Sequence, residues 1–278
     1  MTDEIRLQAI ERSLITKYRK TIWNKFIAGV RDYKLINEGD RIAVCMSGGK
    51  DSAILAKLMQ QLHRHSEVPF DIEFLVMDPG YSEKNREKLI ENCRVLGIEP
   101  HIFESDIFKS VENVEKSPCY LCARMRRGYL YSYAKSLGCN KIALGHHNSD
   151  VVETVLMGMI YGGQYQTMMP KLKSTNFEGM ELIRPMYCVN EKDIISWARY
   201  NGLEFLTCAC RITARSNDPD GQGVSKRLEI KKLIAEIHKT YPQIEANIFK
   251  STHNVNLNTV IGFTHKGEFT SFLDEYDE

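Results

Sequence analysis

The chain has 278 residues, 43% of them hydrophobic, enough for one large α/β domain with helical additions. Lysine and arginine (37) balance aspartate and glutamate (36), so the net charge of +1 excludes a globally basic nucleic-acid binder and any basic surface must be local. Residues 1–20 are charged throughout, and no stretch approaches the roughly 18–20 apolar residues of a membrane span, so a soluble cytoplasmic protein with no secretory signal and no membrane partner is expected.

Residues 1–35 read as helical, with Leu14, Ile15, Tyr18, Ile22, Phe26 and Val30 at three- and four-residue spacing. This segment holds eight basic residues against four acids, which makes it either a solvated face or an RNA-contacting one. After it the pattern alternates. Strands are expected at 41–46, 72–78, 99–105, 141–147 and 180–187. Helices are expected at 51–63, 82–97, 123–138, 149–161 and 191–202. Strands alternating with helices at this spacing predict an α/β fold, a parallel twisted sheet with helices on both faces. Residues 214–225 form a turn-rich linker. A basic amphipathic helix (226–241) and a shorter one (244–252) follow, then an acidic tail, "FLDEYDE". The domain reading is 1–35 N-terminal helices, 36–215 catalytic domain, and 216–278 linker with C-terminal helices.

The stretch "VCMSGGKDSA" carries the most chemistry. A buried strand delivers Ser47, Gly48, Gly49, Lys50, Asp51 and Ser52, and a helix starts at once. The glycines permit a sharp turn and close approach to a ligand. The free N–H groups at the helix start, with the positive end of its dipole, suit a phosphate. The Ser47 and Ser52 hydroxyls and the Lys50 ammonium add donors. Asp51 is out of place in an anion site unless Mg²⁺ accompanies the phosphate. The spacing is not that of the loop that serves γ-phosphate hydrolysis.

Eight cysteines without a signal read as thiols or metal ligands rather than a disulfide framework. Cys45, Cys93, Cys139 and Cys188 lie singly in apolar surroundings and read as core residues. Cys119 and Cys122 form a Cys-x-x-Cys pair ahead of Arg124, Arg126 and Arg127. Taken alone, the pair admits a zinc half-site, a redox couple, part of an iron–sulfur site or two core residues. Adjacent arginines do not share a helix face, so one of Arg126 and Arg127 can reach a nucleotide or RNA phosphate while the other points away. Cys208 and Cys210 in "TCAC" offer further thiolates. A zinc site built from all four is a rival, although one intervening residue is cramped for two tetrahedral ligands.

The loop "SGGKDS" after a buried strand resembles that of the PP-loop ATP pyrophosphatases, which split ATP between the α and β phosphates and adenylate a carbonyl oxygen. With "CYLCARMRRGYLY", "KIALGHHNSDVVET", "YGGQYQTMMPKL", "IRPMYCVNEKDI" and "FLTCAC", residues 35–215 are similar to the tRNA 2-thiocytidine synthetases (TtcA family). The resemblance implies an ATP-dependent tRNA sulfurtransferase that thiolates cytidine. Its implied cofactors are Mg²⁺ and a 4Fe–4S cluster on Cys119, Cys122 and Cys208, with Cys210 as the alternate. Three thiolates leave one iron open to present a sulfide. The implied partners are tRNA, ATP and a sulfur donor, and a homodimer is admissible. Gly145, His146, His147 and Asp150 match the family's nucleotide-facing segment, where Asp150 and Glu153 read as a capping pair. Lys50, Asp51 and Asp150 are the expected catalytic residues. Ser149 departs from the family's usual aspartate and puts the metal arrangement in question. Backbone at Val76 and Met77 is expected at adenine, Arg127 at phosphate, and residues 162–173 as a lid whose Lys171 and Lys173 meet RNA. The rivals are another base or a small-molecule acceptor, lysine addition, which the cysteines oppose, and a catalytically silent nucleotide or cluster sensor. The zinc-ribbon cysteines of related 2-thiouridine enzymes are missing before residue 45 and after 210.

Overall fold

The computed structural model describes residues 2–105, 107, 118–206 and 226–276, with backbone alone at 118–120, 122, 123 and 275. Its centre is a six-stranded sheet in the order β3-β2-β1-β4-β6-β5. The strands are β1 (Arg41–Met46), β2 (Asp71–Asp78), β3 (His101–Glu104), β4 (Lys141–Ala143), β5 (Lys171–Lys173) and β6 (Glu181–Ile183). All neighbours run parallel except β5, which pairs antiparallel with β6 at the edge. The five expected strands are present and the parallel sheet is as predicted. β5 was not foreseen, because "KLK" is three residues long and lies within the segment read as a lid.

Three expected strands are shorter than predicted, β3 spanning only His101–Glu104 of the expected 99–105. β4 ends at Ala143 rather than 147, because Gly145, His146 and His147 turn away to start a helix. β6 ends at Ile183 because residues 184–187 form a turn closed by Tyr187 N–H donating to Arg184 O at 3.1 Å. Pro185, which has no N–H to give a ladder, sits inside it.

β1 shows why the sheet is buried on both sides. Ile42, Val44 and Met46 belong to one apolar cluster, Ala43 and Cys45 to the other. The first cluster takes in helices α1 (Asp3–Ile15), α2 (Asn24–Asp32), α3 (Lys50–His65), α4 (Glu83–Val95) and α7 (Glu191–Tyr200). The second takes in α5 (Pro118–Ser136). The N-terminal helices share the sheet's own core through Ile10, Leu14, Ile22 and Phe26. They are not one continuous helix: a π-turn over Arg19–Trp23 separates α1 from α2 where Tyr18 is anchored by donating to Ser196 O at 2.9 Å. Cys45, Cys93 and Cys139 are buried, with thiol pKa values pushed up to about 12, 11 and 11 by burial, as befits core residues. Cys188 is half-buried.

The helix α6 (Asn148–Gly162) receives the C-terminal helices α8 (Lys226–Thr240) and α9 (Ile244–Ser251). They bury Val152, Ile230 and Ile234 together with Leu156, Ile244, Ile248 and Phe249. The sequence left open whether these helices pack on the core; they do. A hairpin, β7 (Gly262–His265) and β8 (Glu268–Ser271), turns at Lys266 and Gly267, both at positive φ. The sequence reading passed over it. The acidic tail begins as a short 3-10 helix, Phe272–Glu275, instead of trailing from its first residue. The predicted linker at 214–225 lies outside the described residues.

Candidate active site at the carboxyl ends of the strands

In a parallel α/β sheet each helix starts near the carboxyl end of the preceding strand, and that edge is where ligands bind. β1 delivers the loop 47–52 there. Gly48 has φ 79°, and a Cβ on it would lie 2.7 Å from Leu206 Cδ1, so glycine is needed for conformation and for space. Gly49 caps α3, whose first residue is Lys50. The two serines shape the loop: Ser47 N–H donates to Ser52 Oγ at 3.0 Å, and Ser52 Oγ–H donates to Gly49 O at 3.0 Å. The Ser52 proton, expected to serve an anion, is engaged here. The N–H groups of the first helical turn have no intrahelical acceptors, which leaves them open to an anion.

Lys50 Nζ lies 3.0 Å from Asp51 Oδ2 and 2.9 Å from Glu191 Oε1. Asp51 Oδ1 is buried and has no hydrogen-bond partner. His147, the cap of α6, accepts from Asp150 N–H through Nδ1, while Asp150 Oδ2 accepts from His147 N–H at 3.0 Å. That capping box joins His147 to Asp150; the expected pair of Asp150 and Glu153 does not form it. With Nδ1 accepting, the His147 proton sits on Nε2, 3.7 Å from Asp51 Oδ1. A lone buried oxygen on a carboxylate beside a helix start suits Mg²⁺, which takes one or two carboxylates and fills its octahedron with phosphate oxygens and water. Among the described residues no three His, Cys, Asp or Glu side chains are grouped to hold a metal.

Gly145 packs the β4–α6 connection onto the loop. A Cβ there would meet Asp51 C at 3.0 Å, Asp51 O at 3.1 Å and Ser52 N at 3.1 Å. Ser149 Oγ accepts from Glu191 N–H at 3.4 Å, so the serine at the departing position holds the start of α7. The nearby carboxylate that sequence reasoning missed is Glu191. Burial alone would raise its pKa, but hydrogen bonds from Lys231 and Lys50 hold it down to about 2. Also missed were Arg227 and Lys231, four apart on α8. Arg227 pairs with Asp150 at 2.7 Å, and Lys231 with Glu191 at 2.8 Å. Both also face the buried Glu153, at 3.4 and 3.6 Å. The basic face of 226–241 was visible in the sequence, but its target was not.

At the end of β2, Met77 is buried and clusters with Ile107, Leu121 and Met125. The next residue, Asp78, accepts from Gly80 and Tyr81 N–H, and Tyr81 O–H donates to Ser47 O at 3.1 Å. Through Leu121 and Met125 the first turns of α5 pack against the cluster of Met77 and Ile107 at the end of β2. The helix begins at Pro118, five residues ahead of the expected start, so Cys119 and Cys122 both fall in its first turns, one turn apart. Their side chains, and all of Cys208 and Cys210, lie outside the described residues. Arg126 is half-buried; Arg127 is exposed and close enough to Arg184 for the two charges to repel. Arg184 is buried, and its pKa is lowered to about 10, by burial first. It donates to Met169 O and to His146 Nδ1, the latter at 3.3 Å. Burial and the Arg184 charge push His146 down to about 4, so this histidine is neutral at physiological pH. The segment read as a lid is tied down at Met168, Met169 and Pro170 by Tyr187 and Arg184. Lys171 donates to Lys34 O at 3.0 Å and Lys173 is exposed. Finally, Leu206 N–H donates to Gly48 O at 3.1 Å, which docks the chain leading to Cys208 on the loop itself.

No described helix is long and apolar enough to cross a membrane. A family model for a PP-loop domain matches residues 16–210. The tRNA-cytidine(32) 2-sulfurtransferase of Geobacter sulfurreducens is 34% identical over 242 residues, covering 86% of this chain and 91% of that protein. The protein of the same name from Alkalilimnicola ehrlichii is 38% identical over 232 residues, covering 81% and 70%. Among solved structures, the U34-tRNA thiolase NcsA from Methanococcus maripaludis, determined with its 4Fe–4S cluster, superposes with a TM-score of 0.62 at 21% identity. It covers 91% of this chain and 81% of that one, a likeness of fold. A glycine loop of this sequence at the carboxyl end of β1, in a match that runs from Thr16 to Cys210, has one assignment: the chain belongs to the PP-loop family and, within it, to the tRNA-cytidine(32) 2-sulfurtransferases.

Proposed function

We propose that this protein uses ATP to replace a carbonyl oxygen of a tRNA cytidine with sulfur, at the position its relatives' name specifies. The first helical turn of α3 and Lys50 bind the phosphates. Asp51, through its unpartnered Oδ1, would hold Mg²⁺, which neutralises phosphate charge. Met77 borders the adenine, and Asp150 positions His147 through the capping box. The target base, unstacked to reach the site, attacks the α-phosphorus with its carbonyl oxygen. Pyrophosphate leaves and an adenylated base remains. Cys119, Cys122 and Cys208 would hold a 4Fe–4S cluster, which supplies the sulfur nucleophile when bound. AMP departs with the former carbonyl oxygen. Gly145 and the Ser47–Ser52 hydrogen bonds keep the loop rigid, so that little reorganisation is needed as charge develops. Thiols in the first turns of a helix favour the thiolate, which suits soft metal ligation.

The observation that carries this reading is the Leu206 N–H to Gly48 O hydrogen bond. It docks the approach to the third cysteine on the phosphate loop, just as Leu121, between the other two, packs against the cluster that holds Met77. The test is metal and sulfide analysis with an absorption spectrum, all on anaerobically purified protein, followed by ATP-dependent thiolation of tRNA. A brown protein with about four irons per chain, colourless and inactive as Cys119→Ala, supports it. Colourless wild-type protein with stoichiometric zinc refutes the cluster.

A further inference from the structure

Lys50, the cation of the phosphate loop, also belongs to a chain of five charged groups. Its ammonium touches Asp51 Oδ2 and Glu191 Oε1; the other oxygen of Glu191, Oε2, accepts from Lys231 Nζ at 2.8 Å; and Lys231 reaches back to Glu153 Oε1 at 3.6 Å. Glu191 comes from the first turn of α7, where Ser149 Oγ pins its N–H. Lys231 comes from the middle of α8, beyond the undescribed stretch 207–225. One carboxylate thus stands between two ammonium groups from different elements, and each competes for its charge.

We propose that Glu191 and Lys231 are positioning residues that set how strongly Lys50 is available to phosphate. Glu191 draws Lys50 away from an incoming phosphate oxygen and adds a negative charge close to it. Lys231 weakens that hold by taking the second oxygen. It also leaves Glu191 neutralised once Lys50 turns to the nucleotide, so that no half-buried carboxylate is stranded without a partner. This rests on the nucleotide-site reading above, and it makes the docked C-terminal helix α8 part of the machinery that tunes nucleotide affinity.

The test is the dissociation constant of Mg·ATP for the full chain, measured by calorimetry on wild type, Glu191→Gln, Lys231→Gln and the double variant, with thermal midpoints as a control. Glu191→Gln is expected to bind ATP about two- to fivefold tighter, the span that a partly exposed ion pair commands. Lys231→Gln is expected to bind more weakly by a similar factor, and Lys231→Arg to restore wild-type affinity. In the Glu191→Gln background, Lys231→Gln should change nothing, because its action runs through Glu191. A side chain that merely supports the fold would not tighten ATP binding when removed. Unchanged or weaker binding by Glu191→Gln at an unchanged midpoint overturns the proposal. So does an equal loss from Lys231→Gln in both backgrounds, which would mean a direct effect on phosphate. If Glu191→Gln does not fold, the Lys231→Gln and Lys231→Arg pair decides alone: no loss with Gln, or no recovery with Arg, refutes it. Wild-type protein that binds no ATP would sink the nucleotide-site reading itself and this inference with it; binding without the Glu191 effect sinks this inference alone.

Discussion

Gly145 is constrained by how closely one backbone must approach another. Gly145 has no unusual φ; what fixes it is the start of α3, whose Asp51 and Ser52 main-chain atoms lie where a Cβ would go. Those atoms belong to a helix and cannot yield as a side chain tip would. Gly145→Ala is therefore expected to cost about 1–3 kcal/mol in urea unfolding and to weaken ATP binding by pushing on the phosphate loop. Wild-type stability and affinity in that variant would show that the two segments are not held together. "SGGKDS" and "GHH" were legible one by one in the sequence, because each has its own local chemistry. Their mutual contact was not, since the loop and Gly145 are brought together only by the pairing of β1 with β4.

Between elements, buried charges do work that apolar contacts alone would not specify. Lys57 on α3 is fully buried and donates to Glu11 Oε1 at 2.6 Å, Gln60 Oε1 at 2.5 Å and Leu96 O at 2.9 Å. Burial depresses its pKa against the pull of Glu11. Helix α1 supplies the one acid in that set. Removing it leaves a buried ammonium without a countercharge, so Glu11→Ala is expected to lose about 3 kcal/mol in chemical denaturation. Lys57→Met leaves behind Glu11, which is partly exposed and keeps Arg64 at 3.0 Å, and the Leu96 carbonyl, so it should cost less than Glu11→Ala. The reverse order of costs would mean that apolar packing alone holds α1 in place. The sequence showed α1 as a helix but offered two uses for its charges, solvation or RNA. One of them is instead an internal fastening. The early start of α5 has a similar lesson: a proline at the first helical position is favourable, and it puts the cysteine pair, which lay ahead of the expected helix, inside the helix itself.

Over the whole molecule, the ionisable groups around α6, α7 and α8 make stability depend on pH in two opposite senses. Burial pushes Glu153 up to about 7 despite Lys231 and Arg227. The native state then keeps a proton that the unfolded chain releases near the ordinary glutamate range, about 4.3, so stability falls as pH rises through the window from there to about 7. Glu191, held down to about 2, contributes stability that is complete above the ordinary carboxylate range and is lost as pH falls below it. The two together predict a stability maximum on the mildly acidic side. Glu153→Gln should flatten the decline between about pH 5 and 8 in urea midpoints; an undiminished decline would assign the proton elsewhere.

By itself the sequence determined the alternation of strand and helix, the loop at 47–52, the cysteine pair and the family to which their order belongs. These are local signals: periodicity, glycines between a strand and a helix, and thiols at fixed spacing. The tertiary structure decided which charges meet. Glu191 and Lys231 stand 40 residues apart in the sequence, and nothing in either segment names the other. They meet because α7 and α8 converge on the one sheet edge where parallel strands end and α3 begins. Leu206 meets Gly48 for the same reason: chain folding, and not residue type, brings residues 203–206 onto the glycine loop.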